Sequence, residues 1–388
     1  MACILCTLFA CSGGGKKLAG PKSEVSPGEN QAQVQDESAL ARPENFLLGA
    51  DLSYVNEMED CGAVYRWNGE AKDPYTLFAE AGSDLVRVRL WHNPQWTRYS
   101  NLEDVSETVA RAQVSGQRVL LDLHYSDTWA DPDKQYIPAA WEHLYGDDEA
   151  LADALYNYTR DVLEHMHSAG HVPEFIQIGN ETNAELLQRE AEMNKEEIHW
   201  PRNILFFNHG LQAVKDFNEE ANTNVQTFIH IAQPENALSW FPQAMAAGLN
   251  DFDFIGISYY KKWSTHSMPE LTSAIAQLVT RYNKPLIVVE ASYPWTLENF
   301  DSANNILAED SLVRGYPATP QGQHDYFKAL IKAIIDGGGN GLVYWEPAWV
   351  STSCSTLWGQ GSHWENAATF DNEGEALPVM NIYRFGKE

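Results

Sequence analysis

The stretch Phe175-Ile176-Gln177-Ile178-Gly179-Asn180-Glu181-Thr182-Asn183 (FIQIGNETN) begins as a short, largely apolar run and stops on a carboxylate flanked by amides. A run this short, rich in bulky and β-branched residues, suits a strand buried on both faces. A carboxylate beside apolar surface is unfavourable unless it is hydrogen-bonded, paired or protonated. Taken alone, Glu181 reads as an ordinary acid at a strand-to-loop junction, where chains are normally wet. The pattern recurs, and the recurrence decides the fold.

Seven further runs share that form: FLLGADLSYV, DLVRVRLW, RVLLDLHY, VQTFIHIA, FDFIGISYY, PLIVVEAS and GLVYWEPAW. Helical candidates lie between them over Leu102–Gly116, Asp148–Ala169, Ile204–Glu220, Met268–Tyr282 and Gln323–Asp336. Pro43, Pro173 and Pro285 stand before or at the start of a run, where proline is tolerated. Eight strand–helix units without a change in composition predict a single (β/α)8 barrel of the α/β class, with long βα loops, over residues 43–388. A doubly wound sheet is the runner-up, but the first run ends Gly49-Ala50-Asp51, which is no glycine-rich phosphate turn.

Barrel chemistry sits at the carboxyl ends of the strands. Those ends carry Asp51; Arg89, Trp91, His92 and Asn93; Asp122 and His124; Asn180 and Glu181; His230; Tyr259 and Tyr260; Glu290; and Trp345 with Glu346. Bland barrel strands would not all finish this way. Glycoside hydrolysis needs two carboxyl groups flanking the scissile bond. Glu181 ends the fourth run and Glu290 the seventh, so in an eightfold barrel they face each other across the mouth. A separation of about 5–5.5 Å would suit a retaining double displacement. Glu181 is expected to be the acid/base, its pKa raised by partial burial and by Glu290, and Glu290 the nucleophile. Arg89 is expected to hold Glu290 ionised, Asn180 to meet a sugar 2-hydroxyl, and His124, Tyr259 and Trp345 to orient the reacting sugar. Asp51, Trp91, Asn93, Asp122 and Tyr260 complete the substrate-binding candidates. The bland alternative is a buried acid paired with Arg87 or Arg89 for stability alone.

The composition agrees with a neutral polymeric substrate. Thirteen Trp, 17 Tyr and 15 Phe need either a core or a sugar-stacking cleft. The formal charge of −28 argues against nucleic acid, whose phosphates call for clustered Lys and Arg, and disfavours polyanionic polymers. Other motifs are weaker. His165, His167 and His171 lack HExxH spacing, the glycine-rich stretch 336–341 precedes a strand instead of following one, and Ser292 lacks a GxSxG context.

At the N-terminus, Met1 to Cys11 (MACILCTLFAC) reads as a targeting segment, and Leu8-Phe9-Ala10-Cys11 resembles a lipobox with Cys11 as the lipidated residue. Residues 12–42, rich in Gly, Ser, Pro, Gln and charge, read as a flexible tether. An exported bacterial lipoprotein, at the cell surface or in the periplasm and monomeric, is the expectation. Cys61 follows the first run and Cys354 the eighth, on loops adjacent in a closed barrel, leaving a disulfide and two free thiols as open alternatives.

Several stretches resemble glycoside hydrolase family 53, the endo-β-1,4-galactanases: GADLSYVNEME, VRVRLWHNP, LDLHYSDTWADPDKQYIPAAW, GNET, EASYPWT, GYPATPQGQ, YWEPAW and WENAATFD. The resemblance runs from Leu48 nearly to the C-terminus. It implies Glu181 as acid/base, Glu290 as nucleophile, and β-1,4-galactan, including the galactan side chains of pectin, as substrate, with no required cofactor. Other retaining barrel glycosidases acting on mannan, xylan or glucan, and a non-catalytic glycan-binding lipoprotein, are the alternatives. Two departures from the family pattern stand out. QREAEMNKEEIH, an acidic and helix-prone insertion, separates Glu181 from Trp200-Pro201, which relatives usually reach sooner. Some relatives hold a structural calcium in the loop after the seventh strand, where Asp301, Asn304 and Asn305 are the oxygen-ligand candidates here.

Overall fold

The structure is a computed structural model and describes residues 41–193, 197–357 and 359–386. The targeting segment with Cys11, and the tether as far as residue 40, lie outside the described residues. All eight predicted runs are strands: β1 (Leu47–Asp51), β2 (Leu85–Leu90), β3 (Arg118–Leu123), β4 (Phe175–Ile178), β5 (Gln226–Ala232), β6 (Phe254–Ser258), β7 (Leu286–Ala291) and β8 (Gly341–Tyr344). They pair in parallel in chain order, and β8 returns to β1 to close the barrel. Closure leaves the barrel sheet without an edge.

The longer helices between them are α1 (Pro74–Ala81), α2 (Leu102–Val114), α3 (Asp148–Ser168), α4 (Trp200–Ala221), α5 (Pro234–Ala246), α6 (Met268–Tyr282) and α7 (Pro320–Asp336), with one short turn of helix, Val55–Asp60, behind β1. Their starts are written locally. Asp73, Asn101, Asp147 and Thr319 each accept the backbone N–H three residues on, and Ser267 with Glu270 forms a capping box ahead of α6. A 3₁₀ stretch, Pro378–Arg384, stands where an eighth helix would and packs against α7 and α1. Of the insertion before α4, the described part forms one 3₁₀ turn, Glu190–Glu192, rather than a helix; residues 194–196 lie outside the described residues.

One inward residue from nearly every strand fills the barrel floor: Leu47, Leu85, Leu120, Phe175, Phe228, Ile287 and Val343. Phe228 stacks on Phe254 with centroids 4.5 Å apart. Side chains alternate faces along a strand, so the next inward position lies two residues later. That step replaces Leu85 by Arg87, Leu120 by Asp122, Phe175 by Gln177 and Phe228 by His230, all buried. The apolar floor thus carries a polar storey on top of it. Gly256 belongs to the same level; a Cβ there would lie 3.4 Å from that of His230, so the missing side chain leaves the imidazole its room.

Cys61 and Cys354 are disulfide-bonded, with Cα atoms 5.6 Å apart at a sequence separation of 293, which decides that open alternative. The bond ties the loop behind β1 to the loop behind β8, across the seam where the barrel closes. Arg42 pairs with Asp84 and donates from Nε to the Phe46 carbonyl at 2.9 Å, fixing the entry to β1.

Candidate active site

The polar storey centres on Arg87. Its Nη1 donates to Asp51 at 2.7 Å, and its Nη2 donates to Asp122 and to Asn180 Oδ1 at 2.8 Å each. The same Nη2 lies 2.9 Å from Glu290 Oε1. Tyr260 Oη donates to the other oxygen of Glu290 at 3.0 Å. Asp122 also accepts from the Gln177 amide and sits 3.1 Å from His124 Nε2, while His124 Nδ1 accepts the Ala130 N–H. Glu290 is therefore held by one cation and one hydroxyl, with two further carboxylates nearby. Burial pushes its carboxyl up to about 7, against the downward pull of Arg87.

Glu181 follows β4 in a left-handed backbone conformation, φ 44°, as do Tyr125 after β3 and Gln233 after β5. Such backbone is unfavourable for a side-chain-bearing residue by about 1–3 kcal/mol and persists only where its surroundings enforce it. Here they do. The Thr182 N–H and hydroxyl both donate to the His230 carbonyl at 3.0 Å, and Gln135 Nε2 donates to the carbonyls of Asn180 and Glu181. The turn aims the Glu181 carboxylate across the mouth. An oxygen of Glu181 and an oxygen of Glu290 lie within 4.8 Å of each other. Burial, and then the charge of Glu290, push the Glu181 carboxyl well above the ordinary carboxylate range.

Both carboxylates open into a cleft of about 780 Å³. Trp129, Trp345, Trp349 and Trp364 form a contiguous aromatic wall; Asp131, Lys134, Gln233 and Asn236 also line the cleft; Trp263 and Ile306, 49% and 41% exposed, are its most open apolar residues. Behind the aromatic wall lies Arg89. Its guanidinium rests over Tyr54 at 4.1 Å, Trp129 at 4.4 Å and Trp91 at 4.8 Å, and its Nη1 pairs with Glu346.

The chain matches the model of glycosyl hydrolase family 53 over residues 47–383. This chain belongs to glycosyl hydrolase family 53. It is 52% identical over 341 residues to the arabinogalactan endo-β-1,4-galactanase of Cellvibrio japonicus, covering 87% of this chain and 90% of that one. The endo-β-1,4-galactanase of Bacillus subtilis is 31% identical, over 88% and 86% of the two chains. Among solved structures, the family 53 catalytic domain of Ignisphaera aggregans superposes with a TM-score of 0.81 at 31% identity, covering 89% of this chain and 97% of that one. The family 53 chain is thus a glycoside hydrolase on a (β/α)8 barrel.

The family 53 barrel brings Glu181, Glu290, Asn180, Tyr260 and Trp345 to the cleft, as expected from the sequence. Asp51, Asp122 and His124 lie beneath it, spent on Arg87 and on the loop behind β3. Three expectations are corrected. Arg87, not Arg89, holds Glu290: the guanidinium one storey deeper is long enough to reach upward, while Arg89 is taken by Glu346. Tyr259 faces away from the mouth, its hydroxyl donating to the His266 carbonyl at 3.1 Å, because alternation from the inward Ser258 turns it outward. Trp91 is buried under Arg89, and the exposed Asn93 takes its backbone N–H to Asp127 at 2.9 Å; neither lines the cleft.

Sequence reading missed Gln177, Ser258 and, as a site residue, His230. The signal was present: each is a polar residue at an inward position of an otherwise apolar strand. The calcium candidates sit beneath the β8 loop. The Asp301 carboxylate accepts the N–H groups of Ala303 and Ser362 at 2.8 and 2.7 Å. Asn305 Nδ2 donates to Glu365 Oε1 at 3.0 Å, while Asn305 Oδ1 and Glu365 Oε2 are buried without a protein partner. His363 takes the Asn304 carbonyl at 2.8 Å. Burial, with Asp301 adjacent, pushes the Glu365 carboxyl up to about 7.

Proposed function

We propose that this family 53 hydrolase cleaves β-1,4-galactosidic bonds within galactan by a retaining double displacement, with Glu290 as nucleophile and Glu181 as acid/base. One observation carries the reading: a half-buried Glu181 and a buried Glu290 whose carboxylate oxygens approach within 4.8 Å, too close to leave room for a water between carboxylate and sugar. Glu290 attacks the anomeric carbon as Glu181 gives its proton to the departing oxygen, so the glycosidic bond breaks and a galactosyl ester forms. The leaving chain departs, Glu181 takes a proton from water, the hydroxide adds to the anomeric carbon, and Glu290 is released.

The environments push the two groups toward these roles. Arg87 and Tyr260 favour the ionised form of Glu290, whereas Glu181 faces that charge with no cation in direct contact among the described residues. Asn180 keeps one amide hydrogen for the substrate after donating to the Ala130 carbonyl at 2.8 Å. Galactan as the polymer is supported by the name of the 52% identical Cellvibrio relative, by the aromatic cleft wall, and by an acidic chain that would repel a polyanion.

The test has two parts. Glu290→Ala and Glu181→Ala each abolish reducing-sugar release from galactan; on an activated aryl β-galactoside, azide rescues the first with an α-galactosyl azide and the second with a β-galactosyl azide. Equal release from mannan, xylan or glucan by the unaltered enzyme would sink the substrate assignment.

Two further readings accompany it. The Leu8-Phe9-Ala10-Cys11 stretch and the Gly/Ser/Pro-rich composition behind it support lipid anchoring of a monomeric enzyme through Cys11, checked by palmitate labelling lost in Cys11→Ala. Oxygens of Asp301, Asn305 and Glu365 would hold a structural calcium, since two adjacent carboxylates and two orphaned buried oxygens suit a hard cation. The cation takes no part in bond cleavage.

A further inference from the structure

The Glu181 carboxylate is held by a group that the double displacement does not itself require. Ser258 Oγ donates to Glu181 Oε1, and His230 Nε2 lies 2.9 Å from the same hydroxyl. The ring's orientation decides the direction of both bonds. His230 Nδ1 accepts the backbone N–H of Glu181 at 3.3 Å, a donor whose direction the chain fixes, so Nδ1 is the acceptor and Nε2 carries the proton. Asn180 Oδ1, 3.0 Å from Nδ1, accepts from the Gln177 amide and from Arg87. With His230 donating to Ser258, the serine's single proton is left for Glu181.

We propose that His230 and Ser258 form a positioning relay that reserves Glu181 Oε1 for a permanent hydrogen bond and leaves Oε2 as the oxygen that exchanges protons with the substrate. The inference rests on the acid/base reading of Glu181. His230 is fully buried, and burial, with Arg87 and His124 nearby, holds its ring well below the usual imidazole range, so it stays neutral through the cycle. It grips Glu181 at two points, the backbone N–H directly and the carboxylate through Ser258, in the left-handed turn described above. The charged and titratable groups facing Glu181 are Glu290, Asp131, Arg87 and Tyr260. Ser258 alone among its side-chain contacts favours the carboxylate by a direct hydrogen bond, offsetting part of what burial and Glu290 do to it.

The experiment compares galactan with an activated dinitrophenyl β-galactobioside, whose leaving group needs no protonation. Ser258→Ala lowers kcat on galactan by about 10–100-fold, while the pre-steady-state burst on the activated substrate falls by less than about threefold. Removing a donor from the ionised form raises a carboxyl pKa, so the alkaline limb of the galactan profile moves up by about one pH unit. Ser258→Thr restores both. If Ser258→Ala does not fold, Ser258→Cys, which keeps the volume and weakens the donor, carries the same comparison.

Equal losses on both substrates with an unmoved limb would mean that the hydroxyl only packs, and the relay falls. Glu181→Ala, run alongside, separates the two layers of the reading. A burst without turnover upholds Glu181 as acid/base, so a failure in Ser258→Ala then counts against the relay alone. No leaving-group dependence in Glu181→Ala would overturn the acid/base assignment and the relay with it.

Discussion

Arg87 and Arg89 stand two residues apart on β2 and face the same interior, yet their surroundings are opposite. Both terminal nitrogens of Arg87 are committed, to Asp51, Asp122, Asn180 and Glu290, and only its Nε lacks a partner. Arg89 has one ionic partner, Glu346, and three aromatic faces; its Nε and Nη2 meet no acceptor, and Glu346 Oε2 meets no donor. The deeper cation is a junction through which three carboxylates are placed. The upper one is a stiffener, a charge spread against Tyr54, Trp91 and Trp129 that holds the aromatic wall of the cleft in position. Equal charge and equal burial do not make equal roles; what differs is whether the counter-ions include a reacting group.

The comparison makes its strongest demand at Arg87. Arg87→Met leaves three buried carboxylates without their cation and should lower stability by about 3–5 kcal/mol and kcat/KM on galactan by roughly a thousandfold. Urea melts and steady-state kinetics read the two separately, and Arg87→Lys serves if the methionine variant does not fold. A variant that melts early yet turns over normally would make Arg87 a structural residue only.

Arg89→Met should also destabilise, by about 3 kcal/mol, because Glu346 is left buried and unpaired. Its kcat should change by less than about threefold, with KM for long galactan rising as the wall loosens. Replacing both members, Arg89→Met with Glu346→Leu, should recover most of the stability, since an apolar pair of similar volume has no ions to desolvate. If Arg89→Met lowers kcat as far as Arg87→Met does, the distinction between junction and stiffener is wrong.

Glu181→Gln tests the electrostatics on the other side of the mouth. The folded Glu181 carboxyl is raised above its usual 4.5, so between those values the folded chain binds more protons than the unfolded one. Stability therefore falls as pH rises through that window. Glutamine has no such loss. The variant should melt level with the parent at pH 4 and roughly 2 °C higher at pH 8; a gain at pH 4 as large as that at pH 8 would contradict the sign. Glu290, raised to about 7, places the acid limb of activity above the ordinary carboxylate range. The smallest expected effect lies away from the centre: calcium added to chelator-treated enzyme should raise Tm by about 2 °C or less without altering kcat. In Glu365→Gln that rise should disappear.

The eight strands were legible because each is a short apolar run bounded by turn residues, and the helices because their caps and periods are local. Glu181 and Glu290 were legible because strand ends in a closed barrel converge, so order along the chain becomes position around the mouth. The misassigned residues share one cause. Tyr259 and Asn93 were chosen for lying near strand ends, whereas inward alternation selects Ser258 and Tyr260. Arg89 was chosen over Arg87 because it stands nearer the mouth, but a guanidinium on a three-carbon stem reaches a storey above its own Cα.

By itself the sequence determined the barrel, the family and the two opposed carboxylates, since strand pattern and chain order suffice for those. Only the tertiary structure decided which arginine meets Glu290, that Cys61 and Cys354 are joined, and that His230 reaches Glu181 through Ser258. Those pairings depend on side-chain reach and on partners 28 to 293 residues apart competing for the same few buried atoms, which no local pattern encodes.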